Sequence, residues 1–281
     1  MSLLVASAVL IAAVTHASWN AIAHHIEDKL IAFTLIMGGA AVIGAVLACF
    51  APLPDAAAWP YLIVSALLHI GYHMLLMRSF TLGDFGQVYP IARGTAPLVV
   101  TVLATVFVDE ALSAWQLTGV AVASCGLVGV AVWGIRDSRP HWPALLAALA
   151  TGLSIAAYTV VDGIGVRASG SAIGYIAWLM ILEGVLVPAY TYHRYRGALL
   201  PALRPHAARG LLGAVLAMTA YGLVLWAQTR APLAPIAALR ESSIIVGAAI
   251  GALFFKERFG GPRIAAAGLM VVGIGLMLRT G

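Results

Sequence analysis

Nine ionisable or amide side chains sit inside stretches that are otherwise apolar: His16, Asn20, His69, His73, Arg93, Asp162, Glu183, Arg240 and Glu241. Such groups are costly in hydrocarbon, so they are expected to face a bundle interior or a water-filled cavity rather than lipid. Their spacing favours one shared cavity. His16, Trp19 and Asn20 are related as i, i+3 and i+4, and so are His69, Tyr72 and His73, which puts each trio on one helix face. Tyr89 and Arg93 are four apart, as are Tyr158 and Asp162, so an aromatic ring accompanies a polar group each time. Trp178, Tyr221 and Trp226 lie deep in apolar segments and extend the candidate cage. Aromatic faces attract an ammonium group by cation–π interaction. A carboxylate or phosphonate on the same solute would take an arginine fork. These sixteen residues are the candidate substrate-binding set, and they suit a zwitterionic or cationic amino-bearing metabolite, an amino acid for instance, better than a neutral sugar.

Individual members admit more than one role. Glu183, within IAWLMILEGVLVPAY, has the most apolar surroundings of any carboxylate in the chain. It is a candidate proton-coupling group or ammonium counter-ion, and a structural ion pair is the alternative. Arg93 and Arg240 each follow a proline, Pro90 and Pro235, so they either bond carbonyls that the prolines free or contact substrate. Adjacent helical residues point about 100° apart, so Arg240 and Glu241 need other partners. His69 and His73 have a spacing that can bind metal, yet no Glu follows the first as in H-E-x-x-H and no cysteine cluster completes a ligand set. No metal, cofactor or catalytic residue is expected, and the absence of a Walker-type loop argues against direct ATP use. A metal-dependent intramembrane enzyme built on the two histidines is the reading from a different class.

The elements that must position these residues follow from composition. The chain has 281 residues, 62% hydrophobic and 10% charged, with a mean hydropathy of +0.98; soluble domains carry about 25% charge. An all-α integral membrane protein is expected. Ten apolar segments of roughly spanning length fall at residues 3–23, 30–50, 61–78, 85–108, 116–135, 143–166, 171–192, 211–228, 234–255 and 263–278. The first 23 residues carry His16, Trp19 and Asn20 and lack a basic n-region and a small-residue cleavage site, so the first helix should be retained. The formal charge of +5 resides in short connections rather than in a stripe, which marks topology and excludes a nucleic-acid partner. Eleven Lys and Arg follow odd-numbered segments against three on the other side, placing both termini outside a plasma (inner) membrane. Cys49 and Cys125 lie in apolar segments and are expected to be small buried hydrophobes with no disulfide.

The halves resemble each other. ARGTAPLVVTVLATVFVDE, residues 92–110, meets LRESSIIVGAAIGALFFKE, residues 239–257, at an offset of 147 that pairs Arg93 with Arg240, Glu110 with Glu257 and Gly126 with Gly273. A duplicated five-helix unit, 1–137 and 138–281, must enter the membrane inverted because five is odd, and inverted repeats with a midplane site mark secondary transporters. The ten segments, YPIARGTAPL opening the fourth, FFKERF ending the ninth, and the Gly-rich fifth and tenth resemble the drug/metabolite transporter superfamily, EamA-type, over essentially the whole chain. HASWN, residues 16–20, also resembles a subset found near phosphonate-utilisation functions. The family resemblance implies two inverted repeats around a central cavity and alternating access for small organic solutes. Its partners would be the solute, the bilayer and protons, in a monomer or weak homodimer. Choline-like amines and aminophosphonates are alternative substrates.

Overall fold

A computed structural model describes residues 1–82, 85–136, 142–246 and 261–279; besides a helical stretch at 243–246, twelve helices lie wholly within them. They are α1 (Leu3–His25), α2 (Lys29–Ala48), α3 (Trp59–Leu82), α4 (Phe85–Phe107), α5 (Ala114–Arg136), α6 (Trp142–Arg167), α7 (Ala172–Gly184), α8 (Leu186–Tyr195), α9 (Leu199–Leu203), α10 (Ala207–Gln228), α11 (Leu233–Arg240) and α12 (Gly261–Leu278). No strand occurs among the described residues. Helix ends are closed by side chains. Asp28 accepts from the Leu30 and Ile31 amides at 3.0 and 3.2 Å to start α2. The neighbouring Lys29 ammonium donates to the His24 and Ile26 carbonyls at 2.7 and 2.8 Å, satisfying acceptors that the end of α1 would leave open.

Five stretches are long and apolar enough to cross a membrane: Leu3–His25, Lys29–Ala48, Ala56–Arg78, Trp142–Arg167 and Ala172–Gln228. Ala92–Phe107 and Ile264–Leu278 are shorter apolar helices. The outer surface is studded with large aliphatic and aromatic residues, among them Leu3, Val42, Phe107, Leu146 and Val271, while alanine dominates the interior. That distribution inverts the soluble pattern and suits a hydrocarbon surround, where helices associate through small residues. The extensively packed pairs are α5 with α12, α3 with α6, α1 with α10, α4 with α6, and α2 with α7.

Four expectations are modified. The segment 171–192 is divided at Val185 into α7 and α8. Pro188 is the cause: it has no amide hydrogen for the Gly184 carbonyl four residues back, and its ring crowds that oxygen. The connection 193–210 contains α9 and two 3₁₀ turns. The segment 234–255 is interrupted after Arg240, where the Glu241 and Ser242 amides bond the Ala238 and Leu239 carbonyls three residues back at 3.2 and 3.1 Å. This tightened turn ends α11, and such mid-helix 3₁₀ stretches mark hinges. Residues 247–255 lie outside the described residues, as does FFKERF. Finally, Cys49 and Cys125 are free but exposed rather than buried. A thiol on a lipid-facing surface is already in an apolar surround, so nothing drives it inward.

The α5–α12 seam is close enough to need glycine. A Cβ at Gly119 would lie 2.6 Å from the Gly273 carbonyl oxygen, and one at Gly273 would lie 2.6 Å from the Gly119 carbonyl oxygen. Because the opposing atoms are backbone, no rotamer change relieves the clash. Gly119→Val should lower thermal stability in detergent by about 1–3 kcal/mol, the usual cost of overpacking. Gly129→Ala, which meets nothing within 4 Å, should leave the melting temperature within error.

Candidate functional site

α1 contributes His16 and Trp19, α2 Met37 and Ala40, and α3 His69, Tyr72 and His73 to the wall of one cavity. Tyr158 of α6, Met180 and Glu183 of α7, Ala217 and Tyr221 of α10, and Arg240 at the end of α11 complete it. Its volume of about 50 Å³ holds only a few water molecules. Nine of the sixteen sequence candidates thus share one wall.

The rings form a continuous cluster. His69 stacks on Tyr158 at 3.9 Å between centroids and meets Tyr221 edge-on at 5.2 Å. Tyr72 meets Tyr158 at 5.4 Å, and Trp19 sits edge-on to His16 at 5.3 Å. Polar tips of these rings are held by the wall. The Tyr221 hydroxyl donates to Asp162, the Trp19 indole N–H to His16 Nδ1 at 3.3 Å, and the Tyr158 hydroxyl accepts from Arg240 at 3.2 Å. His69 Nδ1 donates to the Ser65 carbonyl at 3.0 Å and lies 3.8 Å from Glu183 Oε2. That Glu183 oxygen has no hydrogen-bond partner, although the side chain is 5% exposed.

Other candidates stand behind the wall. Asn20 is buried, with its amide donating to the His16 carbonyl at 2.9 Å, which fixes that turn of α1. Asp162 is fully buried and accepts from Tyr175 at 2.9 Å as well as from Tyr221, so it anchors a cavity tyrosine without facing the cavity. Arg93 is 2% exposed, with Nε 2.7 Å from Glu241 Oε2 and a guanidinium nitrogen 3.4 Å from the Ser243 hydroxyl. Arg93 and Glu241 therefore form a buried ion pair between α4 and the interruption after α11. Arg240 and Glu241 do find separate partners, Tyr158 and Arg93. Trp178 packs on Trp59 at 5.1 Å and Trp226 lies under Arg230 at 4.3 Å, both outside the cavity wall. The Tyr89 side chain lies outside the described residues. Sequence reasoning missed Met37, Ala40, Met180 and Ala217, whose types carry no chemical signal, and Tyr175, whose role depends on Asp162. Among the described residues no group of three or more His, Cys, Asp or Glu is placed to hold a metal.

Removing one member of a buried ion pair strands the other charge. Arg93→Met should cost about 3–5 kcal/mol of stability. Arg93→Met with Glu241→Met should recover most of it in thermal unfolding of the detergent-solubilised protein.

The model of the EamA-like transporter family matches residues 142–279. No curated protein sequence matches the chain. Solved structures do, and one of them, recorded simply as the crystal structure of a protein, superposes with a TM-score of 0.68 at 17% identity. That superposition covers 98% of this chain and 95% of the other, a likeness of fold. The protein thus carries an EamA-like transporter family domain in its second half, in keeping with the drug/metabolite transporter superfamily that its sequence resembles.

Proposed function

We propose that the protein is a secondary carrier that moves a small amino-bearing metabolite, zwitterionic or cationic, across the plasma (inner) membrane by alternating access. The match of residues 142–279 to the EamA-like transporter family supports a membrane transporter of small solutes. The observation that carries the finer reading is Glu183, a carboxyl with an unpartnered oxygen in a cavity walled by Trp19, Tyr72, Tyr158 and Tyr221. Aromatic faces beside one acidic group suit an ammonium. A buried ionisable group inside a bundle is also the usual place for a coupling proton, and Glu183 is one, 3.8 Å from His69.

Alternating access is supported by size and by symmetry. About 50 Å³ is far below the roughly 300 Å³ or more of an ordinary ligand site, so a solute enters only when the walls separate. The reading takes the chain as ten spans in two inverted units, 1–137 and 138–281, that rock against each other. Under the offset of 147, Gly119 maps to 266 and Gly126 to Gly273. The Gly119–Gly273 contact thereby maps onto the approach of Gly126 to Ala266, where an added Cβ would lie 3.1 Å from the Ala266 carbonyl oxygen. The interruption after Arg240 provides a hinge.

Flux into proteoliposomes tests this reading. Amino acids and other small amines should be taken up, with a pH gradient accelerating uptake. Glu183→Gln, which keeps the shape and removes the titrating group, should reduce pH-driven flux by about tenfold or more. Unchanged pH-driven flux in that variant removes Glu183 from the coupling role.

A further inference from the structure

The charges buried in the bundle are unevenly partnered. Arg93 has Glu241 at 2.7 Å, Glu183 has His69 at 3.8 Å, and Asp162 has two tyrosine hydroxyls. Arg240 is 4% exposed and lines the cavity, yet among the described residues no carboxylate lies within 4.0 Å of it. Its guanidinium donates to the neutral Tyr158 hydroxyl at 3.2 Å, and its Nε has no hydrogen-bond partner. A guanidinium stays protonated at any physiological pH, so this is a permanent buried cation with no carboxylate in direct contact among the described residues.

His16 adds a second donor at the same place. Trp19 Nε1 can only donate, so the His16 Nδ1 that receives it is the bare nitrogen and the ring hydrogen belongs on Nε2. That Nε2 is enclosed and without a partner. α1 packs directly against α11, and both side chains line the same cavity. Two unfilled N–H donors, one fully charged, are thus presented together. The acidic group lines the same cavity: Glu183 lies 3.8 Å from His69, His69 stacks on the Tyr158 ring at 3.9 Å, and the Arg240 guanidinium stands 6.0 Å from the same ring centroid. The cavity wall thus carries one carboxyl and one guanidinium.

We infer that Arg240 and His16 form the receptor for an anionic group, a carboxylate or phosphonate, on the transported solute, so that the carrier takes zwitterions and discriminates against the matching simple cations. This rests on the amine-carrier reading for the other end of the solute, where Glu183 and the tyrosine rings receive the ammonium. It also separates the two arginines related by the offset of 147. Arg93 is held by Glu241 and serves structure, whereas Arg240 is left for the ligand.

Matched pairs of probes test it on the full chain in detergent, read by tryptophan fluorescence and thermal shift. The pairs are glycine betaine with choline, β-alanine with ethylamine, and 2-aminoethylphosphonate with ethanolamine; acetate and methylphosphonate represent the anion alone. In at least one pair the zwitterion should bind about ten- to a hundredfold tighter than the cation, the range expected for hydrogen bonds to a charged group. Arg240→Gln should abolish that preference and Arg240→Lys should retain part of it. Cations binding as tightly as zwitterions, or Arg240→Gln keeping the preference, overturns the receptor while the amine carrier stands. Binding of acetate or methylphosphonate without any amine probe keeps the receptor and sinks the amine carrier. Wild-type protein that binds none of the probes overturns both. If Arg240→Gln does not fold, His16→Ala supplies the variant arm, with a partial loss of preference expected and an unchanged preference counting against the receptor.

Discussion

A charge inside an apolar bundle has no water to fall back on, and the architecture is arranged around meeting that demand from within. The Arg93–Glu241 pair is the central instance. Glu241 occupies the turn where the helical run is interrupted, and Arg93 sits on α4 four residues before Pro97, which has no amide hydrogen for the Arg93 carbonyl. The turn after α11 is therefore tied to the proline-containing helix α4 by one buried ion pair. Interrupted backbone at membrane depth is tolerated only where protein or a cavity surrounds it; here Glu241 is buried against Arg93 and the neighbouring Arg240 lines the cavity.

The same demand explains why the aromatic residues are arranged as they are. A tyrosine hydroxyl or indole N–H buried without a partner is costly. Asp162 takes the hydroxyls of Tyr175 and Tyr221, His16 takes the Trp19 N–H, and Arg240 binds the Tyr158 hydroxyl. With their polar tips engaged, the rings present faces and edges to the cavity. The wall is largely aromatic, and its charged side chains are Glu183 and Arg240. Asp162 thus shapes the site without touching its contents.

Packing between helices sets the scale on which the site can change. Hydrocarbon gives no hydrophobic drive for helix association, so contact relies on close backbone approach, as along the Gly119–Gly273 seam. The cavity of about 50 Å³ is bounded by seven helices, α1, α2, α3, α6, α7, α10 and α11, so its size depends on how those helices pack.

Helicity, the apolar surface and the gathering of His16 with Trp19 and of His69 with Tyr72 and His73 were legible in the sequence. Composition and the i, i+3, i+4 rule depend only on local geometry, which one chain segment carries by itself. The tertiary structure alone decided what distant residues do to one another. Arg93 and Arg240 look equivalent at an offset of 147, yet the first faces Glu241 and Ser243 about 150 positions away and the second faces a cavity. Asp162 spacing placed it beside Tyr158, whereas its partners are Tyr175 and Tyr221. Met37, Ala40, Met180 and Ala217 became cavity wall only because their helices cross there. A side chain's type states which charges and hydrogen bonds it can make; which of them remain unfilled, and so available to a solute, depends on neighbours that the fold brings together from elsewhere in the chain.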